Sequence, residues 1–192
     1  GKTASHVQLL YGTTNSGKTE VYLQAISKVL ECGRSAIVLV PEISLTPQTV
    51  RRFRARFGSK LSVLHSRLSD RERFEEWNRI NSGKVQIAIG ARSALFAPFT
   101  NLGLIVVDEE HDSSYKQSES PRYHARDVAV VRGKLEKAVV ILGSATPSAE
   151  SLYNAKQGKF MLTRMADQVD NKPAPLIRIV DRRLDPPVEE GM

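Results

Sequence analysis

Residues 12–19 read GTTNSGKT and carry the strongest chemical signal of the sequence. They fit the phosphate-loop pattern G-x-x-x-x-G-K-[ST], in which glycines let backbone N–H groups surround phosphate oxygens. We therefore predict that Lys18 contacts the β- and γ-phosphates of ATP and that Thr19 ligates Mg²⁺. The rest of the loop is predicted to hold the phosphates: Gly12, Thr13, Thr14, Asn15, Ser16 and Gly17.

A second group of candidate catalytic residues, DEEH, follows the apolar run at residues 104–107. Asp108 is predicted to hold Mg²⁺, and Glu109 to orient and deprotonate the attacking water. His111 completes this predicted catalytic set. An acidic cluster after a strand usually favours a solvated turn, but a phosphate loop upstream favours the catalytic interpretation.

Both groups need a scaffold, and the hydrophobic pattern predicts one. Apolar runs of strand length alternate with amphipathic stretches of helical length, which is typical of a mostly parallel sheet with helices on both faces. Strands are predicted at residues 7–11, 36–40, 61–64, 85–89, 104–108 and 139–143. Helices are predicted at residues 18–32, 46–57, 69–82, 125–135 and 148–158. In such sheets ligands bind at the carboxyl ends of the strands, where both groups lie.

Length and composition restrict the class further. The 192 residues suit one domain, which we assign to residues 1–164, with residues 165–192 as a linker toward a second lobe absent from this sequence. Cys32 is the only cysteine, which excludes an internal disulfide, and no apolar run is long enough to span a bilayer. The net charge of +7 is concentrated in two clusters, one of them Arg51, Arg52, Arg54 and Arg56. Charge alone leaves open whether these clusters bind nucleic acid or form solvated helix faces.

The two groups together resemble motifs I and II of the superfamily 2 helicases, and residues 143–147, GSATP, resemble motif III. The resemblance implies a RecA-like P-loop NTPase lobe that uses ATP and Mg²⁺. It also implies that Ser144 and Thr146 link the acidic box to DNA movement. An alternative for motif III is an ordinary strand-to-helix cap, with Ser148 starting the next helix.

Two further loops resemble the family's motifs Ia and Ib, which hold the backbone of one DNA strand. Residues 40–48, VPEISLTPQ, lie after the second predicted strand, and residues 90–93, GARS, after the fourth. Thr46 would cap a helix whose N-terminus faces a phosphate, with Gln48 nearby. Arg92 and Ser93 offer a charge and a hydroxyl to phosphate oxygens. Ordinary loop and cap chemistry is the alternative.

The ring-bearing segment, residues 111–127, interleaves aromatic rings with cations. Bases stack on aromatic faces, and cations bind phosphates. We predict that the segment senses DNA through six side chains: Tyr115, Lys116, Arg122, Tyr123, His124 and Arg126. The alternative is that the tyrosine rings pack in the core. We favour DNA sensing because the segment is polar.

The combined motifs across residues 10–151 resemble the replication-restart helicases within superfamily 2. The resemblance implies a cytoplasmic bacterial enzyme that unwinds DNA in the three-prime to five-prime direction at stalled forks and promotes primosome assembly. Its implied partners are forked or single-stranded DNA, a second RecA-like lobe in cis, single-strand-binding protein and other primosome proteins, with no membrane. Zinc is expected in the full-length family but not in this fragment, which we expect to be weakly active or inactive alone.

Two rival functions stay open at the level of sequence. A small-molecule kinase or nucleotide switch would use the phosphate loop but would not explain motifs Ia, Ib and III. A module that only grips DNA would not explain the phosphate loop and the acidic box.

Overall fold

A computed structural model describes residues 6–165. The strands are β1 (Val7–Tyr11), β2 (Ser35–Leu39), β3 (Leu61–Leu64), β4 (Ile87–Gly90), β5 (Leu102–Val107), β6 (Lys116–Gln117), β7 (Tyr123–His124), β8 (Val139–Ser144) and β9 (Met161–Arg164). The α-helices are α1 (Lys18–Glu31), α2 (Pro47–Phe57), α3 (Asp70–Asn81), α4 (Ala125–Glu136) and α5 (Ala149–Lys156). Short 3₁₀ helices span Glu42–Ser44, Gly58–Lys60, Arg92–Phe96 and Ser113–Tyr115.

Seven strands form one sheet in the order β3-β4-β2-β5-β8-β1-β9. Every neighbouring pair in it is parallel. The phosphate loop follows β1 and the acidic box follows β5, and only β8 lies between those two strands. Because all three run in the same direction, their carboxyl ends place motifs I, II and III side by side.

The central strands of the sheet are buried on both faces, as their continuous apolar sequences require. Successive side chains of a strand point to opposite faces. Accordingly, Ile37 and Leu39 of β2 pack in one core cluster, whereas Val38 packs in the other. Ile105 and Val106 of β5 divide in the same way. The central strands are therefore held rigidly, which fixes the loops at their ends.

Three helix caps agree with the residues expected at those positions. The Thr46 hydroxyl accepts a hydrogen bond from the Thr49 amide, with Pro47 at the first helical position. Ser69 and Glu72 form a reciprocal capping box at α3. Ser148 caps α5 by accepting from the Ser151 amide.

The predicted α/β architecture is confirmed, with all six predicted strands and all five predicted helices present. Strand β9 and the β6–β7 hairpin were not predicted from the sequence. Strand β9 lies at the sheet edge and is largely exposed, so it has no apolar run. Strands β6 and β7 have two residues each and form an antiparallel pair, so they are too short for a periodic signal. The predicted linker lies outside the described residues except for Met165. None of the helices within residues 6–165 combines the length and the apolar character needed to cross a membrane.

Candidate nucleotide site

The phosphate loop uses backbone conformations that few residues adopt. Asn15 has φ 66° and Gly17 has φ 91°, both in the left-handed region that glycine and asparagine tolerate. At Gly12 a side chain would collide, because an added Cβ would lie 2.5 Å from the Ser16 hydroxyl oxygen. The Gly12 amide also donates to the Ser144 carbonyl at 3.1 Å, which anchors the loop to β8. These constraints explain the glycines in the pattern.

Lys18 lies at the start of α1 and is buried, with 8% of its surface exposed. Its ammonium group donates to the carbonyl oxygens of Gly12 at 2.8 Å and Thr13 at 3.1 Å. The long side chain thus folds back over the loop that it follows. This places a positive charge beside the loop amides, where phosphate oxygens bind.

One cavity of about 650 Å³ joins the phosphate loop to the acidic box. Lys18 and Thr19 of α1 line it together with Asp108 and Glu109 of the acidic box. Its remaining lining residues are Thr14, Asn15, Gly17, Glu20, Leu23 and Arg52. The structure therefore brings together the phosphate-binding, metal-binding and water-activating residues predicted from sequence.

Asp108 is held from two sides by buried tyrosines. The Tyr22 hydroxyl donates to one Asp108 carboxylate oxygen at 2.9 Å, and the Tyr115 hydroxyl donates to the Asp108 carbonyl at 2.7 Å. Burial raises the pKa of Asp108, and the neighbouring Glu109 charge adds to this, while the Tyr22 bond and Lys18 oppose it. Burial, followed by the Asp108 charge, raises the pKa of Tyr22, so this hydroxyl stays protonated and remains a donor.

Tyr22 was given no role from sequence, although it contacts the carboxylate of Asp108, which was predicted to hold Mg²⁺. The signal that could have found it is Gly143, the first residue of motif III. A Cβ at Gly143 would lie 1.7 Å from the Tyr22 hydroxyl oxygen, so glycine is required where the ring passes β8. Gly143 and Tyr22 together therefore determine where the Asp108 carboxylate is held.

His111 connects the acidic box to motif III. Its Nδ1 lies 2.7 Å from the Ser144 hydroxyl and its Nε2 lies 3.3 Å from the Thr146 hydroxyl. The Ser144 hydroxyl also accepts from the Thr146 amide at 2.9 Å. A Glu109 carboxylate oxygen lies 3.7 Å from His111 Nδ1. The motif III hydroxyls are thus in direct contact with the acidic box, while Ser148 separately caps the next helix.

Glu110, which was given no separate role from sequence, is the fully buried member of the box. Its carboxylate accepts from the Ser148 amide at 2.6 Å, the Ser148 hydroxyl at 3.0 Å and the Ser151 hydroxyl at 2.9 Å. Arg126 donates to it at 3.2 Å. Hydrogen bonds of Glu110 therefore connect the acidic box to the start of α5.

Two residues predicted to contact DNA lie inside the protein instead. Tyr115 is 1% exposed and belongs to the core, so its ring does not face a base. Arg126 is 8% exposed and pairs with Glu110 and Asp127, so its charge does not face phosphate. Burial would lower the pKa of Arg126, but its bonds to these two carboxylates outweigh that and raise it. The polar composition of the segment concealed this inward packing.

Arg92 also departs from its predicted role as a free phosphate ligand. Its guanidinium donates to the carbonyls of Ser114 at 3.2 Å and Lys116 at 2.7 Å, and it lies 5.9 Å from the centre of the Tyr123 ring. Phe96 contacts the same ring edge-on, with centroids 5.5 Å apart. Motif Ib therefore supports the ring-bearing segment directly.

The remaining DNA candidates keep accessible surface. Tyr123 and His124 are half-buried in β7, and burial, followed by the Arg126 charge, lowers the pKa of His124. The exposed candidates lie in four separate segments, namely the start of α2, motif Ib, the ring-bearing segment and motif III: Thr46, Gln48, Ser93, Lys116, Arg122 and Thr146.

A family model described as DEAD/DEAH box helicase matches residues 3–155. The chain belongs to the DEAD/DEAH box helicase family. The match covers motifs I, Ia, Ib, II and III and both tyrosines that hold Asp108.

Curated relatives of this helicase chain are named Replication restart protein PriA. The protein of Bacillus subtilis is 54% identical over 177 residues, which cover 92% of this chain and 22% of the relative. That of Haemophilus influenzae is 53% identical over 169 residues, covering 88% of this chain and 23% of the relative. The chain thus spans less than a quarter of these relatives. The predicted resemblance to replication-restart helicases is confirmed.

Solved helicase structures support the RecA-like fold. RecG bound to a three-way DNA junction has a TM-score of 0.63 at 23% identity, covering 90% of this chain and 22% of that chain. The Hef helicase domain of Pyrococcus furiosus has a TM-score of 0.58 at 19% identity, covering 84% of this chain and 36% of that chain. These similarities confirm the predicted fold class.

Proposed function

We propose that this chain is the ATP-binding motor lobe of a three-prime to five-prime DNA helicase that restarts replication at stalled forks. The observation that carries the proposal is the single cavity lined by Lys18, Thr19, Asp108 and Glu109. A triphosphate in this cavity would meet loop amides, an ammonium group, a metal-binding carboxylate and a general base. Those are the functions that phosphoryl transfer to water requires.

The residues of the cavity fit a magnesium ion. Among residues 6–165 no cluster of three or more His, Cys, Asp or Glu could hold a metal by itself. Mg²⁺ does not need such a cluster, because it takes one or two protein oxygens and completes its shell with phosphate oxygens and water. The Thr19 hydroxyl and the Asp108 carboxylate would be those protein oxygens. When bound, the ion neutralises charge on the β- and γ-phosphates.

The side chains around the phosphates have separate roles in this proposal. Lys18 exchanges its bonds to the Gly12 and Thr13 carbonyls for bonds to phosphate oxygens. Glu109 accepts a proton from the attacking water. His111 lies 3.7 Å from Glu109 and contacts both motif III hydroxyls, so it relays the position of motif III to the general base.

DNA would act on this site through two connections. The Tyr115 hydroxyl joins the ring-bearing segment to the Asp108 backbone, and Arg92 of motif Ib holds the carbonyls on either side of Tyr115. The second connection is motif III through His111. The accessible groups that would contact DNA are Thr46, Gln48, Ser93, Lys116, Arg122, Tyr123, His124 and Thr146.

The role of the whole protein rests on the PriA relatives. In this proposal a longer bacterial cytoplasmic protein carries residues 1–164 as its first motor lobe, and residues 165–192 lead to a second lobe. It promotes primosome assembly with single-strand-binding protein and other primosome proteins, and a zinc module lies elsewhere in its chain. Because an arginine finger contributes about 10³–10⁵ in rate, the isolated 192 residues should hydrolyse ATP weakly or not at all.

Two substitutions in the full-length protein test the ATPase proposal. Glu109→Gln should keep ATP binding but stop hydrolysis, because the amide cannot accept the proton. Lys18→Ala should abolish hydrolysis, whereas Lys28→Ala, an exposed residue paired with Glu31, should not change it. Hydrolysis should be measured with and without forked DNA, alongside binding of a fluorescent ATP analogue. Hydrolysis by Glu109→Gln at the wild-type rate would contradict the proposed base. Hydrolysis that forked DNA does not stimulate would favour a kinase or switch instead.

A further inference from the structure

The four arginines of α2 lie in different environments. Arg56 lies 3.6 Å from Glu20 and forms an ion pair with it. Arg51 and Arg54 line a groove between α2 and α3 whose other side carries three carboxylates: Glu72, Glu75 and Glu76. Arg52 alone lines the cavity that joins the phosphate loop to the acidic box. One of the four arginines of the helix therefore borders the proposed nucleotide site.

Arg52 borders the same space as the two residues proposed to hold magnesium. Thr19, Arg52 and Asp108 line the nucleotide cavity, and the same three residues line an adjacent cavity of about 180 Å³. Within residues 6–165 the Arg52 guanidinium has no hydrogen-bond or ion-pair partner. An exposed cation that shares a cavity with three carboxylates and is paired with none of them is available to a ligand.

The charges of the cavity indicate what that ligand is. Glu20, Asp108 and Glu109 are its acidic side chains, and Lys18 and Arg52 are its basic ones. Lys18 belongs to the loop that surrounds the phosphates, whereas Arg52 approaches from another helix. A guanidinium presents a planar fork of donors that matches phosphate oxygens in a bidentate manner.

We propose that Arg52 binds the terminal phosphate of ATP and makes the site prefer ATP over ADP. This inference rests on the proposed function of the cavity and adds a residue to it. Lys18 and Thr19 mark the β–γ end of the phosphate chain. Arg52 shares the lining of both cavities with Thr19 and Asp108, so we place its guanidinium at that end of the nucleotide. ADP lacks the γ-phosphate and would lose this contact.

The position of Arg52 on α2 gives the contact a second consequence. Gln48, one helical turn earlier, lines the smaller cavity together with Arg52. Thr46 caps the same helix two residues before Gln48. The helix whose start is proposed to contact DNA therefore carries the arginine that contacts the γ-phosphate. Loss of that phosphate on hydrolysis would free α2 at its nucleotide end.

The test compares Arg52→Ala with Arg51→Ala in the 192-residue chain. The two substitutions remove the same charge from adjacent exposed positions of one helix, so their effects on helix stability match. Affinities for methylanthraniloyl-ATP and methylanthraniloyl-ADP are measured by fluorescence with Mg²⁺ present. Arg52→Ala should weaken ATP binding by roughly ten- to a hundredfold, the range expected for a charge-assisted hydrogen bond, and leave ADP binding unchanged. Arg51→Ala should leave both affinities unchanged.

Arg52→Lys keeps the positive charge but loses the planar fork of donors. Its affinity for ATP should therefore lie between those of the wild type and Arg52→Ala. Equal loss of ATP and ADP affinity in Arg52→Ala, or no loss, would overturn the assignment of Arg52 alone. A wild-type chain that binds neither nucleotide, or whose binding survives Lys18→Ala, would overturn the proposed function and this inference together.

Discussion

The nucleotide cavity and the ring-bearing segment contain similar residue types but use them differently. In the cavity, polar groups from four elements line one shared space, and the backbone conformation at Gly17 and the close packing at Gly12 shape the phosphate loop. In the ring-bearing segment, side chains of similar type or adjacent position differ in burial. Tyr115 is buried while Lys116 is exposed, and Arg126 is buried while Arg122 is exposed. The first region is built to receive a ligand, whereas the second both holds the acidic box and presents groups to solvent.

The largest expected effect is on stability, and it should distinguish substitution of the buried Arg126 from substitution of the exposed Arg122. Arg126→Ala should lower the free energy of unfolding by about 3 kcal/mol, because it leaves the buried Glu110 carboxylate without its cation. Arg122→Ala should change it by less than about 0.5 kcal/mol, as surface substitutions usually do. Urea denaturation of the 192-residue chain measures both.

Binding of single-stranded DNA by the same two variants provides the control. Arg122→Ala should weaken that binding, because an exposed cation near Tyr123 is free to contact phosphate. If Arg126→Ala left the chain fully stable, the structural role proposed for the Arg126–Glu110 ion pair would be wrong. The division of the segment into buried structural residues and exposed DNA-contacting residues would then fail as well.

Tyr123 tests whether the accessible half of the segment senses DNA. Its ring is half-buried, with Phe96 against its edge and Arg92 5.9 Å from its centroid, which leaves surface for one stacked base. In the full-length protein Tyr123→Ala should reduce stimulation of ATP hydrolysis by DNA roughly tenfold, in line with about 1–3 kcal/mol per stacked base. Hydrolysis rates are measured against the concentration of single-stranded DNA.

The matched control is Tyr153→Ala, which removes an exposed ring from α5 at a position that is 60% exposed. It should leave the stimulation unchanged. Undiminished stimulation in Tyr123→Ala would count against a sensing role for the segment.

The comparison also explains which parts of the molecule could be predicted. The phosphate loop, the acidic box and six strands follow from local rules, since a glycine turn or an apolar run has the same meaning in many folds. The direction of a side chain in a short polar segment depends on tertiary packing. Glu109 and Glu110 are adjacent and identical in type, yet one lines the cavity and the other is fully buried. Glu109 has φ 45°, and no feature of its residue type predicts that conformation.

Tyr22 carries the smallest expected effect and tests how firmly the cavity is preorganised. Tyr22→Phe removes one hydrogen bond to Asp108 and keeps the ring, so the free energy of unfolding should fall by about 0.5–1.5 kcal/mol. Binding of the ATP analogue should need more Mg²⁺, because the Asp108 carboxylate is no longer fixed. Tyr11→Phe is the matched control. Its ring contacts Arg164 rather than Asp108, so it should change neither quantity.

Gly143→Ala should destabilise the protein, since its Cβ would lie 1.7 Å from the Tyr22 hydroxyl oxygen. Adding Tyr22→Phe should restore part of the lost stability, because it removes that oxygen. If the double variant were no more stable than Gly143→Ala, the hydroxyl would not be what excludes a side chain at position 143. The Asp108 carboxylate would then owe its position to the packing of the ring rather than to the Tyr22 hydrogen bond.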